Sequence, residues 1–342
     1  MESNLVTLNT DVKNWIANLN KEIPVVIPPK PFEPEPISTV RPYLLGLKAK
    51  TAEIAIISLK NTPDTDIKLI KITQDIFTDH YGFSIFPLDH SRYVNLHDSI
   101  LVTGGMEKGI SYQNCYLITV TNIDNKFSLL ISSYPPMIEK RERHNLIYLE
   151  HIKSVLVCSG FYSKTCEINS LNSSGWNYIS EMKDYRANAT MFCVNDRYVY
   201  CVGGFKVTDR DKPQGGSYLN SLEYIDSHDF NKGWTNVDLG SINSSFRLCA
   251  MGVINISKNK ILLVGGYDGA KYLTDINECL FENEGIISGI NLNRRSSELG
   301  KGVIFTSNQV FSKTSYNMML NFDSNCKLIR YENNSQEFSI RG

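Results

Sequence analysis

The fold is decided by a short apolar run that ends in two glycines, Tyr198-Val199-Tyr200-Cys201-Val202-Gly203-Gly204. The same pattern recurs as Ile100-Leu101-Val102-Thr103-Gly104-Gly105, Val155-Leu156-Val157-Cys158-Ser159-Gly160 and Ile261-Leu262-Leu263-Val264-Gly265-Gly266. Each run is too short for a buried helix and is apolar on both faces, which predicts a strand covered on two sides. The glycines permit a tight turn where the strand ends. A recurrence about every 50 residues is typical of propeller blades.

Other strand-like segments flank each run at matching places. An apolar segment precedes it, at residues 83–87, 145–149, 189–194 and 250–256. A third segment follows it and carries an aromatic or acidic residue, namely Tyr116, Glu167, Glu223 and Glu278. A fourth begins at Phe127, Trp176 and Trp234, with a weaker equivalent around Ile286. Four strands per period, each antiparallel to its neighbour, predict a propeller blade.

This combination resembles the kelch repeat. The kelch motif joins an Arg at the blade entry, an apolar strand ending in Gly-Gly, a Tyr or Glu in the third strand and a Trp in the fourth. The resemblance covers about residues 80–290. Its structural residues here are Gly104, Gly105, Gly160, Gly203, Gly204, Gly265, Gly266, Trp176 and Trp234. The resemblance implies an all-β fold, a kelch-type β-propeller.

Strand-like segments on either side of this region complete the blades. Residues 302–305, 309–311, 316–322 and 327–331 alternate like strands without a Gly-Gly pair and predict a degenerate sixth blade. Residues 44–48, 53–59 and 67–72 predict three strands of the first blade, and residues 337–341 predict its fourth. Pairing the chain end with the chain start would remove two exposed sheet edges. We therefore expect a six-bladed propeller over residues 43–342.

The segment before residue 43 is not required by a propeller. Apolar residues at three- and four-residue steps, including Leu8, Val12, Trp15 and Leu19, predict an amphipathic helix within residues 1–22. Residues 23–42 contain seven prolines and are expected to form an extended linker. Two roles for the helix stay open, because its apolar stripe needs cover: it packs on the propeller, or it docks into a partner or a second copy.

Composition argues against several classes of protein. The 35 basic residues nearly balance the 36 acidic ones, so no nucleic-acid partner is indicated. No apolar run is long enough to span a membrane and the N-terminus has no signal-peptide pattern, so we expect a cytoplasmic protein. The eight cysteines form no metal-binding pattern with His or Cys, and we expect them to be reduced and buried.

The sequence offers little for catalysis. The copper-oxidase branch of kelch propellers places two His, two Tyr and a Cys around the metal, whereas the six histidines here are scattered. No carboxylate pair stands out for the acid–base chemistry of sugar-epimerising or mutarotating propellers. We therefore predict a protein that is not an enzyme and needs no metal or cofactor. A carbohydrate-active propeller enzyme is the alternative.

An arginine recurs at the entry to successive predicted blades. The four residues are Arg143, Arg186, Arg247 and Arg295. Because blades are arranged radially, equivalent positions form a ring on one face, and guanidinium groups bind carboxylates through paired hydrogen bonds. In some kelch domains this position binds acidic peptides, so the resemblance implies a protein partner with an acidic segment. The alternative is that each Arg bonds the backbone or a glutamate of a neighbouring blade, with Glu167, Glu223 and Glu278 available.

A long polar loop at residues 205–218 follows one Gly-Gly pair and contains Asp209, Arg210 and Lys212. Long insertions on a rigid scaffold are common places for recognition. The kelch resemblance implies that loops between second and third strands share a face with the blade-entry arginines. We therefore predict a protein-interaction scaffold, cytoskeletal or organelle-associated, whose partner binds on this face.

Overall fold

The architecture comes from a computed structural model, which describes residues 43–48, 53–58, 67–71, 91–96, 99–123, 126–207, 215–237, 249–270, 275–281, 293–296, 303–311, 314–322 and 328–334. All of them belong to one compact unit, Pro36–Gly342. This part of the chain is all-β, with two short 3-10 turns, Glu150–Ile152 and Phe230–Lys232, and no α-helix. No helix in it is long and apolar enough to cross a membrane. The predicted N-terminal helix, with Leu8, Val12, Trp15 and Leu19, lies outside the described residues, as does the linker at 23–42.

The first half of the described chain contains three antiparallel sheets. The N-terminal sheet is β1 (Tyr43–Lys48), β2 (Glu53–Ser58) and β3 (Ile67–Lys71). Sheet 1 has β4 (Arg92–Leu96) and β5 (Ser99–Thr103), then a ribbon of β6 (Met106–Glu107) and β7 (Ile110–Ser111), then β8 (Cys115–Ile123) and β9 (Lys126–Tyr134). Sheet 2 is β10 (Asn145–Leu149), β11 (Ser154–Cys158), β12 (Cys166–Ser170) and β13 (Asn177–Ile179).

The second half continues the same pattern. Sheet 3 has β14 (Thr190–Val194) and β15 (Tyr198–Val202), then a ribbon of β16 (Phe205–Lys206) and β17 (Ser217–Tyr218), then β18 (Leu222–Asp226) and β19 (Thr235–Val237). Sheet 4 is β20 (Gly252–Ser257), β21 (Lys260–Val264), β22 (Asp275–Leu280) and β23 (Asn293–Ser296). The C-terminal sheet is β24 (Val303–Phe311), β25 (Thr314–Phe322) and β26 (Leu328–Asn334). Sheets 1 to 4 each pair their four strands in sequence order, as the repeat predicts.

Three predicted strand positions are wrong. The strand before β5 is β4, not residues 83–87, because only two residues separate β4 from β5 and so short a connection favours a hairpin. The fourth strand of sheet 4 is β23, further along the chain than the weak signal around Ile286. Residues 302–305 and 309–311, expected as two strands, belong to the single strand β24. The predicted closing strand at 337–341 lies outside the described residues.

The strands that end in the di-glycine motif form the core. Every residue of β5, β11 and β15 is buried, as expected for strands covered on both faces. In β15 the side chains alternate: Val199 and Cys201 pack against sheet 2, while Tyr198, Tyr200 and Val202 pack against sheet 4. Burial of one such side chain stabilises the fold by about 1.5–3 kcal/mol, so sheet 3 is held by sheets 2 and 4. The seven cysteines that the structure describes are reduced and form no disulfide with one another.

The di-glycine residues adopt the backbone conformation that the sequence predicts. Positive φ angles occur at Gly104, Gly105, Gly160, Gly203, Gly204, Gly265 and Gly266. A Cβ at Gly104 would overlap the carbonyl oxygen of Arg141, so a side chain is excluded there. Ser159 takes the first glycine's place in sheet 2 with φ of 57°. Its hydroxyl donates to the carbonyl of Ser163 at 2.8 Å and accepts the N–H of Arg186 at 2.7 Å, which offsets the strain.

The two tryptophans of the motif connect neighbouring sheets. Trp176 and Trp234 are buried just before the outer strands β13 and β19. The indole N–H of Trp176 donates to the carbonyl of Pro135, after sheet 1, at 2.8 Å. The indole N–H of Trp234 makes the equivalent bond to Ser180, after sheet 2, at 3.1 Å. Both residues, predicted at the start of a fourth strand, lie just before that strand and bond to the preceding sheet's last loop.

One repeated step relates successive sheets. Arg143, Asn188 and Ala250 each lie two residues before a first strand and have φ of 51°, 52° and 55°. The N–H of Asn188 donates to the carbonyl of Arg143 at 2.8 Å, and the N–H of Ala250 donates to that of Asn188 at 2.7 Å. The first strands β4, β10, β14, β20 and β24 also contact one another in this order. We call these three residues the entry positions. They lie at the end of the sheets where the second strands finish in the di-glycine motif, and we call this end the di-glycine edge.

Candidate functional site

Arg186, one of the predicted partner-binding residues, is fully buried in the frame of the protein. Its Nε–H donates to Oε1 of Glu223 at 2.9 Å. One Nη group donates to the carbonyls of Gly203 and Ser221 at 2.7 and 2.9 Å, and the other donates to Oγ of Ser221 at 2.8 Å. For Arg186 the structure therefore shows the alternative role, an ion pair within the fold, and its guanidinium is not accessible to a partner.

Arg141 repeats this arrangement in sheet 2. Its Nε and Nη2 groups donate to Oε1 of Glu167 at 3.1 and 2.8 Å, and its Nη1 group donates to the carbonyls of Ser159 and Thr165, each at 3.0 Å. Both side chains of the ion pair are completely buried. Glu167 also accepts two backbone N–H groups, from Ile138 at 2.6 Å and Glu139 at 3.1 Å. Two successive sheets thus carry the same buried Arg–Glu pair, which fixes the second and third strands to the blade entry.

The predicted alignment of the arginines is therefore shifted by two residues. The equivalent of Arg186 is Arg141, whereas Arg143 is equivalent to Asn188 at the entry positions. Arg143 is half-buried, and its guanidinium carbon lies 4.8 Å from the centroid of the Phe161 ring. Arg143 is thus placed at the di-glycine edge with a partly exposed side chain.

Arg92, which begins β4, reaches two other sheets. Its Nε–H donates to the carbonyl of His144 at 2.9 Å, and an Nη group donates to Oδ1 of Asn188. Thr190, the first residue of β14, makes the equivalent bond through Oγ1 to the carbonyl of Met251 at 3.0 Å. Because the Arg92 side chain is longer than that of Thr190, it reaches a second acceptor, Asn188, beyond the carbonyl of His144. Arg92 therefore joins sheets 1, 2 and 3 at the di-glycine edge.

Arg92 and Arg143 place two positive charges near His144. Burial and then the charge of Arg143 lower the pKa of Arg92 to about 10, so Arg92 remains protonated at neutral pH. Burial, Arg92 and Arg141 hold the pKa of His144 well below its usual value, which keeps this imidazole neutral. Among the described residues no carboxylate forms an ion pair with Arg92. We call Arg92 and Arg143 the cationic pair.

Four aromatic rings cross sheets 2, 3 and 4 beside the cationic pair. Phe161 and Phe205 have centroids 6.4 Å apart, Phe205 and Tyr218 are 4.8 Å apart, and Tyr218 and Tyr267 are 5.8 Å apart. All four side chains are half-buried. Phe161, Phe205 and Tyr267 directly follow the di-glycine motif of their sheets. We call these four residues the aromatic row, and Arg143 lies over its first ring.

The other predicted site residues are only partly placed. Arg295 lies in β23, where its Cα is opposite Ile276 of β22. The predicted loop at 205–218 begins and ends in the ribbon β16–β17, which pairs Phe205 with Tyr218. Arg247, Asp209, Arg210 and Lys212 lie outside the described residues.

A serine and a histidine meet at the opposite edge without forming a nucleophile. Nε2 of His151 lies 2.8 Å from Oγ of Ser227. The Ser227 hydroxyl donates to the carbonyl of Arg197 at 2.5 Å, so its proton is directed away from the imidazole. A general base must accept that proton to activate the oxygen, and this geometry does not provide for it. In the described parts of the chain, no group of three or more His, Cys, Asp or Glu side chains is placed to hold a metal ion.

Sequence reasoning missed three features of the site. Arg141 and Arg143 are two positions apart, and the sequence does not indicate which of the two side chains is buried. Arg92 was missed because its strand was placed elsewhere. The aromatic row did have a visible signal, since an aromatic residue follows the glycine motif at Phe161, Phe205 and Tyr267.

Comparison with protein-family models and with curated protein sequences gives no match for this chain. The resemblance to kelch repeats therefore rests on the residues of the motif alone.

Proposed function

We propose that this chain is a six-bladed, kelch-type β-propeller that acts as a non-catalytic protein-interaction scaffold. Four-stranded antiparallel sheets in sequence order support this architecture. So do the first strands, which contact one another from sheet to sheet, and the hydrogen bond that recurs between entry positions. The three-stranded sheets at the two ends supply the first and sixth blades of the proposed propeller.

The partner binds at the di-glycine edge through an acidic segment that the cationic pair recognises. The observation that carries this proposal is the position of Arg92, whose guanidinium bonds to the carbonyl of His144, the residue after Arg143, and to the side chain of Asn188. The positive charge of Arg143 disfavours that of Arg92, and an incoming carboxylate relieves this repulsion while accepting hydrogen bonds from a guanidinium group. Arg141 and Arg186 have no part in this contact, because their side chains are completely buried in ion pairs with Glu167 and Glu223.

The carbohydrate-active alternative is less well supported by the side chains in place. Acid–base catalysis needs a carboxylate that can exchange a proton with a substrate. Glu167 and Glu223 are completely buried, and each is bound to an arginine and to two backbone N–H groups. They are therefore committed to the frame of the fold.

Affinity purification with single-residue variants tests the proposal. The bait is the full chain, as wild type, as Arg143→Glu and as Lys153→Glu. Lys153 is an exposed cation in the turn between β10 and β11, at the opposite edge, and serves as the matched charge reversal. We expect Lys153→Glu to keep the partners of the wild type and Arg143→Glu to lose at least one of them.

Fluorescence of the buried tryptophans checks that each variant is folded. If a folded Arg143→Glu protein and a folded Arg92→Gln protein both retain every partner, the cationic pair is not the binding site.

A further inference from the structure

The aromatic row is built to hold its rings in fixed positions. A Cβ at Gly216 would overlap the ring of Phe205, so the backbone at Gly216, directly before β17, packs on that ring. A Cβ at Gly269 would lie 2.8 Å from Cε2 of Tyr218, and the hydroxyl of Tyr267 donates to the carbonyl of Gly269 at 3.0 Å. Rings held in this way lose little conformational freedom when a ligand packs on them.

The row is polar at one end and apolar along its length. The guanidinium of Arg143 covers Phe161, the first ring, and Arg92 donates to the carbonyl of His144, the residue after Arg143, at 2.9 Å. From there the row passes through Phe205 and Tyr218 to Tyr267. A ligand that matches this surface has a negative charge at one end and a rigid apolar body.

Resting on the proposed function, we propose that the aromatic row binds an extended, proline-containing segment of the partner whose terminal acidic residue meets the cationic pair. Proline-rich chains adopt the polyproline II conformation before binding and pack on aromatic side chains at low entropic cost. The path from centroid to centroid along the four rings is about 17 Å and a polyproline II chain rises about 3.1 Å per residue, so the row accommodates at most about five residues. Charge complementarity with the arginines selects an acidic segment over a neutral or basic one.

Synthetic peptides test this inference on the full-length chain. Fluorescence anisotropy measures binding of labelled EPPAPP and PPAPPE, which place the carboxylate at either end. The matched peptides are QPPAPP and PPAPPQ, which lack the charge, and EGSAGS and SGASGE, which lack the prolines. We expect one acidic proline peptide to bind, its Gln form to bind at least tenfold more weakly, and its Gly-Ser form at least fivefold more weakly.

Variants locate the contact. Tyr267→Ala and Phe161→Ala should each weaken binding about five- to tenfold. Tyr178→Ala is the matched control, because Tyr178 is 52% exposed on β13 and lies outside the row; it should leave binding unchanged. Tyr267→Phe, which keeps the ring, should bind nearly as well as the wild type even if Tyr267→Ala folds poorly.

Three results would overturn the inference, and they separate it from the proposed function. If neither acidic proline peptide binds at millimolar concentration, or if the acidic Gly-Ser peptides bind equally well, the proline contact is wrong. The scaffold proposal then still stands or falls on the Arg143→Glu purification. If a neutral oligosaccharide such as maltohexaose binds instead, and Tyr267→Ala abolishes that binding, the site belongs to the carbohydrate-active alternative.

Discussion

Replacing Arg186 with methionine should lower the free energy of unfolding by about 3–5 kcal/mol. The substitution removes every donor that now reaches Glu223, Gly203 and Ser221 from the guanidinium. The Glu223 carboxylate would stay completely buried with only the backbone N–H groups of Lys183 and Asp184, at 2.6 and 3.1 Å. The large cost comes from this buried, unpaired charge, and the lost attraction between the two charges contributes less.

Equilibrium urea denaturation, followed by tryptophan fluorescence, to which the buried Trp176 and Trp234 contribute, measures the change. The matched control is Lys206→Met, which breaks a salt bridge of 2.6 Å to Asp184 whose lysine side chain is 37% exposed. Solvent screens such a pair, so this variant should lose less than about 1 kcal/mol. Because only the Arg186–Glu223 pair is completely buried, the loss in free energy of unfolding should be several times larger for Arg186→Met than for Lys206→Met.

A second variant separates the buried charge from the loss of packing. Arg186→Met combined with Glu223→Gln should be more stable than Arg186→Met alone, because the amide removes the unpaired charge from the interior. The reasoning is refuted if Arg186→Met costs no more than Lys206→Met, or if the added Glu223→Gln change destabilises the protein further.

The frame makes three further predictions. Arg141→Met should destabilise the protein as much as Arg186→Met in the same urea assay, and a much smaller loss would show that the two sheets are not equivalent. Gly104→Ala should cost about 1–3 kcal/mol because φ is positive there, whereas Gly175→Ala, with open space around it, should cost little; equal melting temperatures would contradict this. The pKa of His144 is depressed in the folded state. Its contribution to wild-type stability is therefore fully present above pH 6.5 and is lost progressively as the pH falls below that value. His144→Gln should remove up to about 1.4 kcal/mol per pH unit of that decline, and parallel stability–pH curves for the two proteins would argue against it.

The sequence predicts the strands well where a strong local signal exists. Apolar runs such as 198–202 predict a strand that is buried on both faces. A pair of glycines marks the end of that strand, independently of the residues in the neighbouring sheets. Third-strand glutamates were located for the same reason, since Glu167 and Glu223 interrupt apolar segments at matching places. Where the glycine signal is missing, strand boundaries such as those of β24 could not be predicted.

The site was harder to predict because it depends on contacts between sheets. Arg141 and Arg143 are of one residue type and two positions apart, and nothing local distinguishes them. Arg141 is buried because the carbonyls of Ser159 and Thr165, at the two ends of the loop between β11 and β12, converge on its guanidinium. Only the folded arrangement shows which arginine meets those acceptors and which one remains at the edge.

The buried pairs also explain why recognition is expected beside them. Each Arg–Glu pair fixes the entry to its sheet, and the backbone bonds between Arg143, Asn188 and Ala250 fix the entries to one another. The three entry positions hold three different residue types with nearly the same φ. The residue type at an entry position can therefore vary without disturbing that backbone. The same holds for the residue after each di-glycine motif, which is Phe161 in sheet 2 and Tyr267 in sheet 4. A rigid, repeated frame with variable side chains at one edge is the arrangement in which binding specificity can change while the fold is kept.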